Sequence, residues 1–566
     1  MRAFVQEIQA AVAAATELAP ESVRVETPRD AKMGDLAFPC FPLAKALKKA
    51  PPAIAGELAE TLNAKLEGIT AVATGPYLNF TIDRERLART ILGDIQSEGA
   101  EYGRSDQGEG KTVLIDLSSP NIAKPMHVGH LRSGIIGMAL KRLHERLGYK
   151  TVGINHLGDW GIQFGKLCAA IARWGDTVDL ETDPIEGLNQ LYVRFHNEEE
   201  NDPELAEAGR AAFRELESGA DGEVRATWRK LTELSLREFD KVHARLGVEH
   251  ELVRGEAFYE PYLEQTIERI EAAGVTEMSQ GALIVDLEGI DGKMPPCLLR
   301  KTDGTTLYAT RDMAAAFHRW EEFGFDRCLY VVGSDQKLHF RQLRAVLKKM
   351  GMDWWERVEH VPFGMMSLPE GKMSTRQNRT IRLGDVLDRA TEEAKKAIVE
   401  KNAELANADE VAAAVGIGAV VFNDLKKERV KDVVFDWDEA LAFQGDTGVY
   451  LMYTHARLCK IERTVLERGQ GEAQPDLALL EDSANVLTRL GRFPDVVRSA
   501  AADCEPSELA QYLLGLAREV SAWYDAHRVL DQEPPLTAAR LALVRAARDV
   551  LANGLGLLGI AAPQEM

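Results

Sequence analysis

The segment from residue 111 to residue 148 constrains the fold more than any other part of this sequence. The apolar run VLIDL is followed by the polar loop SSPN and by a periodic helical pattern over residues 127–147, which Gly148 ends. A strand, a loop and a helix in this order open a doubly wound α/β unit. Apolar runs recur at residues 328–332 and 361–368. We therefore predict a parallel sheet that is assembled from separate pieces of the chain.

The rest of the chain divides around these pieces. At 566 residues the protein is too long for one core. Because a domain usually has about 100–200 residues, we expect roughly three to five domains. A charged helical stretch separates the two parts of the sheet, and the sequence after residue 380 is almost entirely helical in period. The predicted boundaries are 1–108 for an N-terminal α+β domain, 109–165 and 297–380 for the two halves of the α/β domain, 166–296 for a helical insertion, 381–440 for a helical stem and 441–566 for a C-terminal all-α domain.

Charge and cysteine usage limit the classes of function. The formal net charge of −21 argues against indiscriminate nucleic-acid binding, so an RNA partner would need focused basic patches. Six cysteines occur singly, without a C-x-x-C pair, which predicts reduced thiols and neither a disulfide framework nor a zinc knuckle. We find neither a run of about 18 apolar residues nor a basic-then-apolar leader, and so we expect a cytoplasmic protein without a membrane partner.

The polar segment SSPNIAKPMHVGH, residues 118–130, has a suitable position for nucleotide chemistry. It follows a strand and opens a helix, and a nucleotide bound there would meet the backbone N–H groups and positive dipole of the helix. Gly129 would let the backbone approach the nucleotide, while His127 and His130 would donate hydrogen bonds to phosphate oxygens.

The string HVGH at residues 127–130 resembles the HIGH signature of class I aminoacyl-tRNA synthetases, and SPNIAKPMHVGHLRS looks like its arginine-specific version. Further strings match the same family in order: GDLAFPCFPLAK, NHLGDWGIQFGKL, TDGTTLYATRDMAAA, VVGSDQKLHFRQL, VFDWDEAL, YLMYTHARL and NGLGLLGI. The resemblance implies a multidomain protein with a Rossmann-like catalytic domain, a helical insertion, an N-terminal domain that reads the tRNA D loop and a C-terminal anticodon-binding bundle. It also implies ATP-dependent ligation of L-arginine to its cognate tRNA through an arginyl-adenylate.

The second signature of this family, K-M-S-K-S, is incomplete here. Thr375 occupies the site of the second lysine, and Arg376 follows it. Since the departing pyrophosphate still needs positive charge, the resemblance points to Lys124 as the compensating cation, with Arg376 as the second candidate. The candidates for catalysis are Lys124, His127, Gly129, His130, Lys372, Ser374 and Arg376, and those for ATP binding are Asn121, Lys124, His127, His130, Lys372, Met373 and Ser374.

A guanidinium group presents five donors in a rigid fork and is paired best by carboxylates. Asp312 and Tyr308 are four residues apart, so they share one face if a helix begins near Tyr308. Asp116 is expected to be a buried carboxylate that needs a cationic partner. With the residues that the resemblance adds, the candidates for arginine binding are Asp116, Ser119, Pro120, Asn121, His130, Tyr308, Asp312 and Gln336.

The resemblance also suggests contacts with tRNA. Tyr77 and Asn79 are the candidates for D-loop reading, since stacking and an amide edge can read an unpaired base. Tyr453, His455 and Arg457 are candidates in the C-terminal bundle, where packing inside the bundle explains the same pattern equally well. We expect Mg²⁺ to accompany ATP without an assigned protein ligand, and we expect a monomer.

Two alternative functions remain open at this point. A class I synthetase for another amino acid is disfavoured because the pocket candidates are acidic and zinc-type cysteine spacing is absent. A non-catalytic tRNA-binding relative would be expected to lack His127, His130 or Lys372, and all three residues are present.

Overall fold

The computed structural model describes residues 1–566 except residues 17, 29, 291, 368–381, 435, 443 and 444. The predicted site residues Lys372, Met373, Ser374 and Arg376, together with Thr375, therefore lie outside the described residues.

The N-terminal part is a small antiparallel sheet covered by helices, as predicted. Its elements in chain order are α1 (Arg2–Thr16), β1 (Leu36–Pro39), α2 (Phe41–Leu47), α3 (Pro51–Asn63), β2 (Ile69–Thr74), β3 (Tyr77–Ile82) and α4 (Arg84–Glu98). β3 is the central strand and pairs with both β1 and β2. The apolar stripe of α1, which includes Phe4, Ile8 and Val12, is buried in a core that continues into the α/β and C-terminal parts.

The middle of the chain builds the parallel sheet and its insertion. In chain order it contains β4 (Thr112–Asp116), α5 (Val128–Arg146), β5 (Lys150–Asn155), α6 (Ile162–Trp174), α7 (Pro184–Glu199), α8 (Pro203–Glu217), α9 (Glu223–Leu246), β6 (Leu252–Val253), α10 (Glu256–Tyr259), α11 (Leu263–Ala272), β7 (Glu277–Ser279), β8 (Ala282–Val285), β9 (Cys297–Arg300), α12 (Tyr308–Phe323), β10 (Arg327–Gly333), α13 (Lys337–Lys349), β11 (Val358–Phe363) and β12 (Met366–Ser367).

Five parallel strands form the main sheet in the order β11-β10-β4-β5-β6. The side chains of β4 are almost all buried, because helices cover both faces of a parallel sheet. β5 pairs with one edge of β4, and β10 pairs with the opposite edge. The connections that follow β4 and β10 therefore diverge to opposite sides. This reversal creates a crevice at the carboxyl ends of β4 and β10, where ligands of such sheets bind.

The insertion has a core of its own and also takes part in the main sheet. Helices α6 to α9 pack around buried apolar side chains such as Leu188 and Phe195. The short strand β6 falls inside the range predicted for the insertion, and it pairs with β5 as an edge strand of the main sheet. The insertion therefore returns to the sheet before the second half of the α/β domain begins.

The C-terminal part is helical, as predicted. Its elements are α14 (Leu383–Lys401), α15 (Ala408–Leu425), β13 (Val433–Val434), α16 (Trp437–Leu441), α17 (Gly448–Glu467), α18 (Ala484–Leu490), α19 (Phe493–Ala502), α20 (Pro506–Ala526) and α21 (Pro534–Leu557). Five of the six cysteines are buried and Cys459 is partly buried, all as free thiols. Within the described part of the chain, no helix has the length and apolar character needed to span a membrane.

Helix α5 lies between the main sheet and the C-terminal helices, and it contains a buried cation. Arg132 and Asp424 of α15 are each 1% exposed, and Nε of Arg132 lies 2.8 Å from Oδ1 of Asp424. Nη1 of Arg132 donates to the carbonyl oxygens of Gly364 at 2.6 Å and Lys431 at 2.9 Å. One side chain thus connects α5 with the segment that leaves β11 and with the stem.

We predict that Arg132→Met lowers the free energy of unfolding by about 3–5 kcal/mol, because the substitution leaves the Asp424 carboxylate buried without a cation. Urea denaturation measures the loss. Lys141→Met is the matched control on α5, because its partner Glu251 is 44% exposed and water can solvate the released carboxylate. Adding Asp424→Leu to Arg132→Met should recover part of the loss. Equal losses for Arg132→Met and Lys141→Met would contradict the prediction.

Candidate active site

A cleft of about 660 Å³ opens at the carboxyl ends of β4 and β10. Its walls bring together predicted residues from distant parts of the chain: Asp116, Ser119, Asn121, Gly129, His130, Tyr308, Asp312 and Gln336. Lys124 is exposed beside the cleft, in a small pocket that it shares with Gln163 and Tyr192. Within the described residues Lys124 makes no ion pair, so its charge is available to a ligand.

The two histidines of HVGH cap the helix that they begin. His127 is the N-cap of α5, and its Nδ1 accepts a hydrogen bond from the Gly129 N–H at 3.0 Å. Nδ1 of His130 accepts from the His127 N–H at 3.1 Å, which completes a capping box. A ring nitrogen that accepts from a backbone N–H carries no proton, so both neutral rings hold their proton on Nε2. Each ring can therefore donate from Nε2, which the predicted binding of phosphate requires.

Burial keeps both rings neutral. Burial, followed by the neighbouring His127, lowers the pKa of His130 to about 3. Burial and the Lys124 cation also lower the pKa of His127. The ring centroids are 4.0 Å apart, and two imidazolium ions at that distance would repel each other.

Glycine at position 129 is required by the His127 ring. A Cβ atom at Gly129 would lie 2.7 Å from Cε1 and 2.8 Å from Nδ1 of His127. Gly129 therefore makes room for the capping imidazole, and its role in the approach of a nucleotide stays a prediction.

The loop between β4 and α5 is held in a strained conformation. Ser118, Ser119 and Ala123 have φ angles of 71°, 50° and 59°, which residues with a Cβ rarely adopt. Pro120 is buried, and its carbonyl oxygen accepts from the Gly158 N–H at 3.1 Å. A Cβ at Gly158 would lie 1.9 Å from Oδ1 of Asn121, so this glycine makes room for the asparagine. Pro120 therefore supports the loop on the side away from the cleft, while Asn121 faces the cleft.

An acidic wall lies opposite this loop. Helix α12 begins at Tyr308, which is the condition under which Tyr308 and Asp312 share one face. Oδ2 of Asp312 lies 2.5 Å from Nε2 of His339, and Oδ1 lies 3.8 Å from Nε2 of His156. Burial alone would raise the pKa of Asp312, but the hydrogen bond with His339 keeps this pKa below its ordinary value. Asp312 is therefore an ionised carboxylate at neutral pH.

Asp116 has the cationic partner that the sequence required, and this partner belongs to the protein. Nη2 of Arg319 lies 2.8 Å from Oδ2 of Asp116, and both side chains are buried. Ser119 Oγ donates to Oδ1 of the same carboxylate at 2.7 Å. Because both oxygens of Asp116 are engaged, this residue organises the floor of the cleft, and Asp312 is the carboxylate with room for a cationic ligand.

Several residues of the site carried only weak signals in the sequence. Arg319 follows Asp312 by seven residues, which is two turns of the same helix. His339 lies in the first turn of α13, three residues after Gln336, and His156 follows the carboxyl end of β5. Glu256, whose pKa burial raises to about 7, reaches the cleft from the insertion, and no local pattern predicts that approach.

The tRNA-contact candidates lie away from the cleft. Tyr77 and Asn79 occupy one face of β3; Tyr77 is 37% exposed and its ring is edge-on to Phe41, while Asn79 is buried. In α17, His455 is buried and its Nδ1 is 2.9 Å from the Pro563 carbonyl oxygen, so it belongs to the interior of the bundle. Tyr453 and Arg457 line a surface pocket beside that interior.

Comparison with known proteins identifies relatives over the whole chain. Residues 92–437 match the family model for the catalytic domain of class I (R) tRNA synthetases, residues 451–566 match the DALR anticodon binding domain and residues 2–82 match the arginyl tRNA synthetase N-terminal domain. The arginine–tRNA ligase of Clostridioides difficile is 44% identical, and arginine–tRNA ligase 1 of Bacillus thuringiensis is 47% identical; each alignment covers 96% of this chain and 95% of the relative. The solved arginyl-tRNA synthetase of Thermus thermophilus is similar with a TM-score of 0.83 and 28% identity over 99% of both chains.

We predict that His130 makes the folded protein sensitive to acid. The pKa of His130 is about 3 when folded, and an unfolded histidine titrates near 6.5, so the unfolded chain binds more protons between these values. The contribution of His130 to stability is complete above about pH 6.5 and declines as pH falls, by about 1.4 kcal/mol per pH unit.

His130→Asn is the matched variant, because its side-chain oxygen can accept from the His127 N–H but does not titrate. Urea unfolding at pH 7, 6 and 5 should show the wild type losing stability relative to this variant as the pH falls. A difference between the two proteins that stays constant with pH would exclude the proposed burial of a neutral His130.

Proposed function

Since the chain belongs to the arginine-specific class I tRNA synthetases, we propose that it ligates L-arginine to its cognate tRNA, using ATP to form an arginyl-adenylate first. One observation carries this proposal. The ionised Asp312 faces a cleft whose other wall is a helix N-terminus with the Nε2–H donor of His130, and His127 caps the same end of the helix. A cationic side chain and a polyphosphate therefore have matching partners within the same cavity.

The arginine site is proposed to form around Asp312. The open oxygen of this carboxylate accepts from the substrate guanidinium, and the exposed Tyr308 ring, which His339 supports at 4.9 Å, covers the substrate side chain. Asn121 and Gln336, with Ser119, hold the amino-acid end, while Pro120 and Asp116 support these residues from behind. His339 prevents Asp312 from turning away from the cleft.

Activation requires positioning and charge stabilisation, with no nucleophile from the protein. The carboxylate of arginine attacks the α-phosphorus of ATP, a new oxygen–phosphorus bond forms, and the bond to the pyrophosphate oxygen breaks. His127, His130 and the N-terminus of α5, with Gly129 leaving room for the His127 ring, stabilise the phosphate charge. The 2′-hydroxyl of the terminal adenosine then attacks the acyl carbon, and AMP leaves.

The departing pyrophosphate also needs a cation. We assign this role to Lys124, since it lies three residues before the N-cap His127 and shares a small pocket with Asn121, which faces the cleft. Lys372, Met373 and Ser374 are proposed to bind ATP, with Arg376 as a further cation. Mg²⁺ is proposed to arrive on the phosphates of ATP; among the described residues no group of three ligating side chains could hold it, and no step here depends on a protein ligand for it.

The other domains are proposed to bind the tRNA. The exposed Tyr77, next to Phe41 and Asn79, is proposed to read the D loop, and Tyr453 with Arg457 is proposed to contact the anticodon region. We retain the domain boundaries predicted from the sequence, with β6 returning to the catalytic sheet. We also propose that the enzyme acts as a monomer, because one chain carries the cleft and both proposed tRNA-binding regions. The cytoplasm is retained as its proposed location.

The function is tested by ATP–pyrophosphate exchange with arginine, measured with and without cognate tRNA. We expect exchange that requires arginine and that lysine or glutamine cannot support. Exchange with a different amino acid would identify another class I specificity, and no exchange under either condition would favour a non-catalytic tRNA-binding protein.

We predict that Asp312→Asn raises the KM for arginine roughly 10- to 100-fold, because a charge-assisted hydrogen bond worth about 1.5–3 kcal/mol is lost. The KM for ATP should change little. The matched control is Asp303→Asn, since Asp303 is an exposed carboxylate outside the cleft that only caps Thr305. An unchanged dependence on arginine would remove Asp312 from the substrate site.

We predict that Lys124→Ala lowers the rate of activation by roughly two orders of magnitude, equivalent to about 2.7 kcal/mol, with smaller changes in the KM values. Adding Thr375→Lys should restore part of the rate, because it returns a cation to the position where the family has one. The control is Lys150→Ala, which removes an exposed lysine at the opposite end of the sheet. Near-normal activation by Lys124→Ala would assign the role to Arg376.

A further inference from the structure

One helix of the insertion contacts the active-site loop at two points. On α9, Ser235 Oγ accepts a hydrogen bond from the Ala123 N–H at 2.9 Å, and His243 Nε2 lies 2.8 Å from Oγ of Ser118. Ser235 and His243 are eight residues apart and so project from the same face of the helix. All four residues are buried.

The two contact points coincide with backbone strain. Ser118 has a φ of 71° and Ala123 has a φ of 59°, and these two residues flank the segment that presents Ser119 and Asn121 to the cleft. An L-residue in this region costs about 1–2 kcal/mol, and such a conformation persists only when its surroundings enforce it. The strained residue between them, Ser119, is held from the other side by Asp116.

Each contact satisfies a buried polar group. The Ser235 hydroxyl donates to the Leu231 carbonyl at 2.7 Å, so its lone pairs are available to the Ala123 amide. Burial, with His250 next to it, lowers the pKa of His243 to about 3, and the ring is neutral beside Ser118. Without these two side chains, the buried groups of residues 118 and 123 would favour other loop conformations in which they find partners.

We propose that Ser235 and His243 are positioning residues of the active site: from the insertion, they hold the strained segment 118–123 so that Asn121 and Lys124 face the substrates. This inference rests on the proposed function, because the segment matters for catalysis only if the cleft forms the adenylate. It gives the insertion a structural role in activation, separate from any contact with tRNA.

The first test compares two hydroxyl deletions on α9. Ser235 and Thr232 both donate to the carbonyl four residues earlier, but only Ser235 also accepts from the loop. Ser235→Ala should lower the kcat of arginine-dependent exchange by about 10-fold, the effect of 1.4 kcal/mol, whereas Thr232→Val should change it less than about twofold. Equal rates for the two variants would overturn the proposal.

The second test uses glycine to remove the strain itself. Glycine adopts positive φ without the Cβ penalty. Adding Ala123→Gly to Ser235→Ala should therefore raise the rate about 3- to 10-fold above that of Ser235→Ala, whereas Ala123→Gly alone should leave the wild-type rate nearly unchanged. Ser118→Gly should not restore the Ser235→Ala rate, because it relieves strain at the other contact. A general structural defect in α9 would respond to neither glycine, and rescue by both glycines alike would also contradict the proposal.

His243 supplies an independent pair of variants if Ser235→Ala does not fold. His243→Leu removes the contact with Ser118 and should lower kcat, whereas His243→Gln offers a polar group at a similar reach and should retain most of it. Thermal melting of each variant identifies any that are unfolded, and equal activity of the Leu and Gln variants would defeat the inference. If the wild-type enzyme shows no arginine-dependent exchange, the proposed function itself is wrong. That result differs from equal activity of the variants, which contradicts only the positioning role.

Discussion

The burial of α5 is the constraint on which the rest of the structure depends. A helix covered by a sheet on one side and by helices on the other buries its charged side chains, and a buried charge is costly unless an opposite charge pairs with it. Arg132 therefore pairs with Asp424 and donates to the carbonyls of Gly364 and Lys431, while the first turn is capped by His127 and His130. The same helix thus joins the stem to the sheet at its centre and presents the His130 ring to the cleft at its start.

The sequence predicted those parts of the site that depend on local pattern. VLIDL followed by HVGH placed a helix N-terminus at the carboxyl end of a strand, and the four-residue spacing of Tyr308 and Asp312 placed them on one helical face. Contacts between distant segments could not be predicted in this way. Arg319 pairs with Asp116, so this carboxylate is already engaged, and His455 is buried against Pro563. Both outcomes depend on tertiary packing, which decides which side of a strand or helix is available to a ligand.

The cleft contains two kinds of side chain: those that face the space for a ligand, and those that hold the first kind in position. Asp312 is held by His339, Ser119 by Asp116, and Asn121 by a loop whose ends meet α9. Strain at Ser118, Ser119 and Ala123 is compatible with a stable fold because each of these residues has a buried or partly buried hydrogen-bond partner. A site built in this way keeps its geometry before substrates arrive, which reduces the reorganisation that the reaction requires.

The strand order of the main sheet has a consequence for the folding of the chain during synthesis. β4 lies between β5 and β10, and the Thr112 N–H donates to Asp326, which is 214 residues further along the chain. One edge of β4, with its backbone N–H and C=O groups, therefore lacks its partner strand until the whole insertion and β10 have been synthesised. Contacts of this sequence separation form slowly and leave partly folded chains prone to association. The strands of the antiparallel N-terminal sheet are close in sequence, so they can pair before the catalytic sheet is complete.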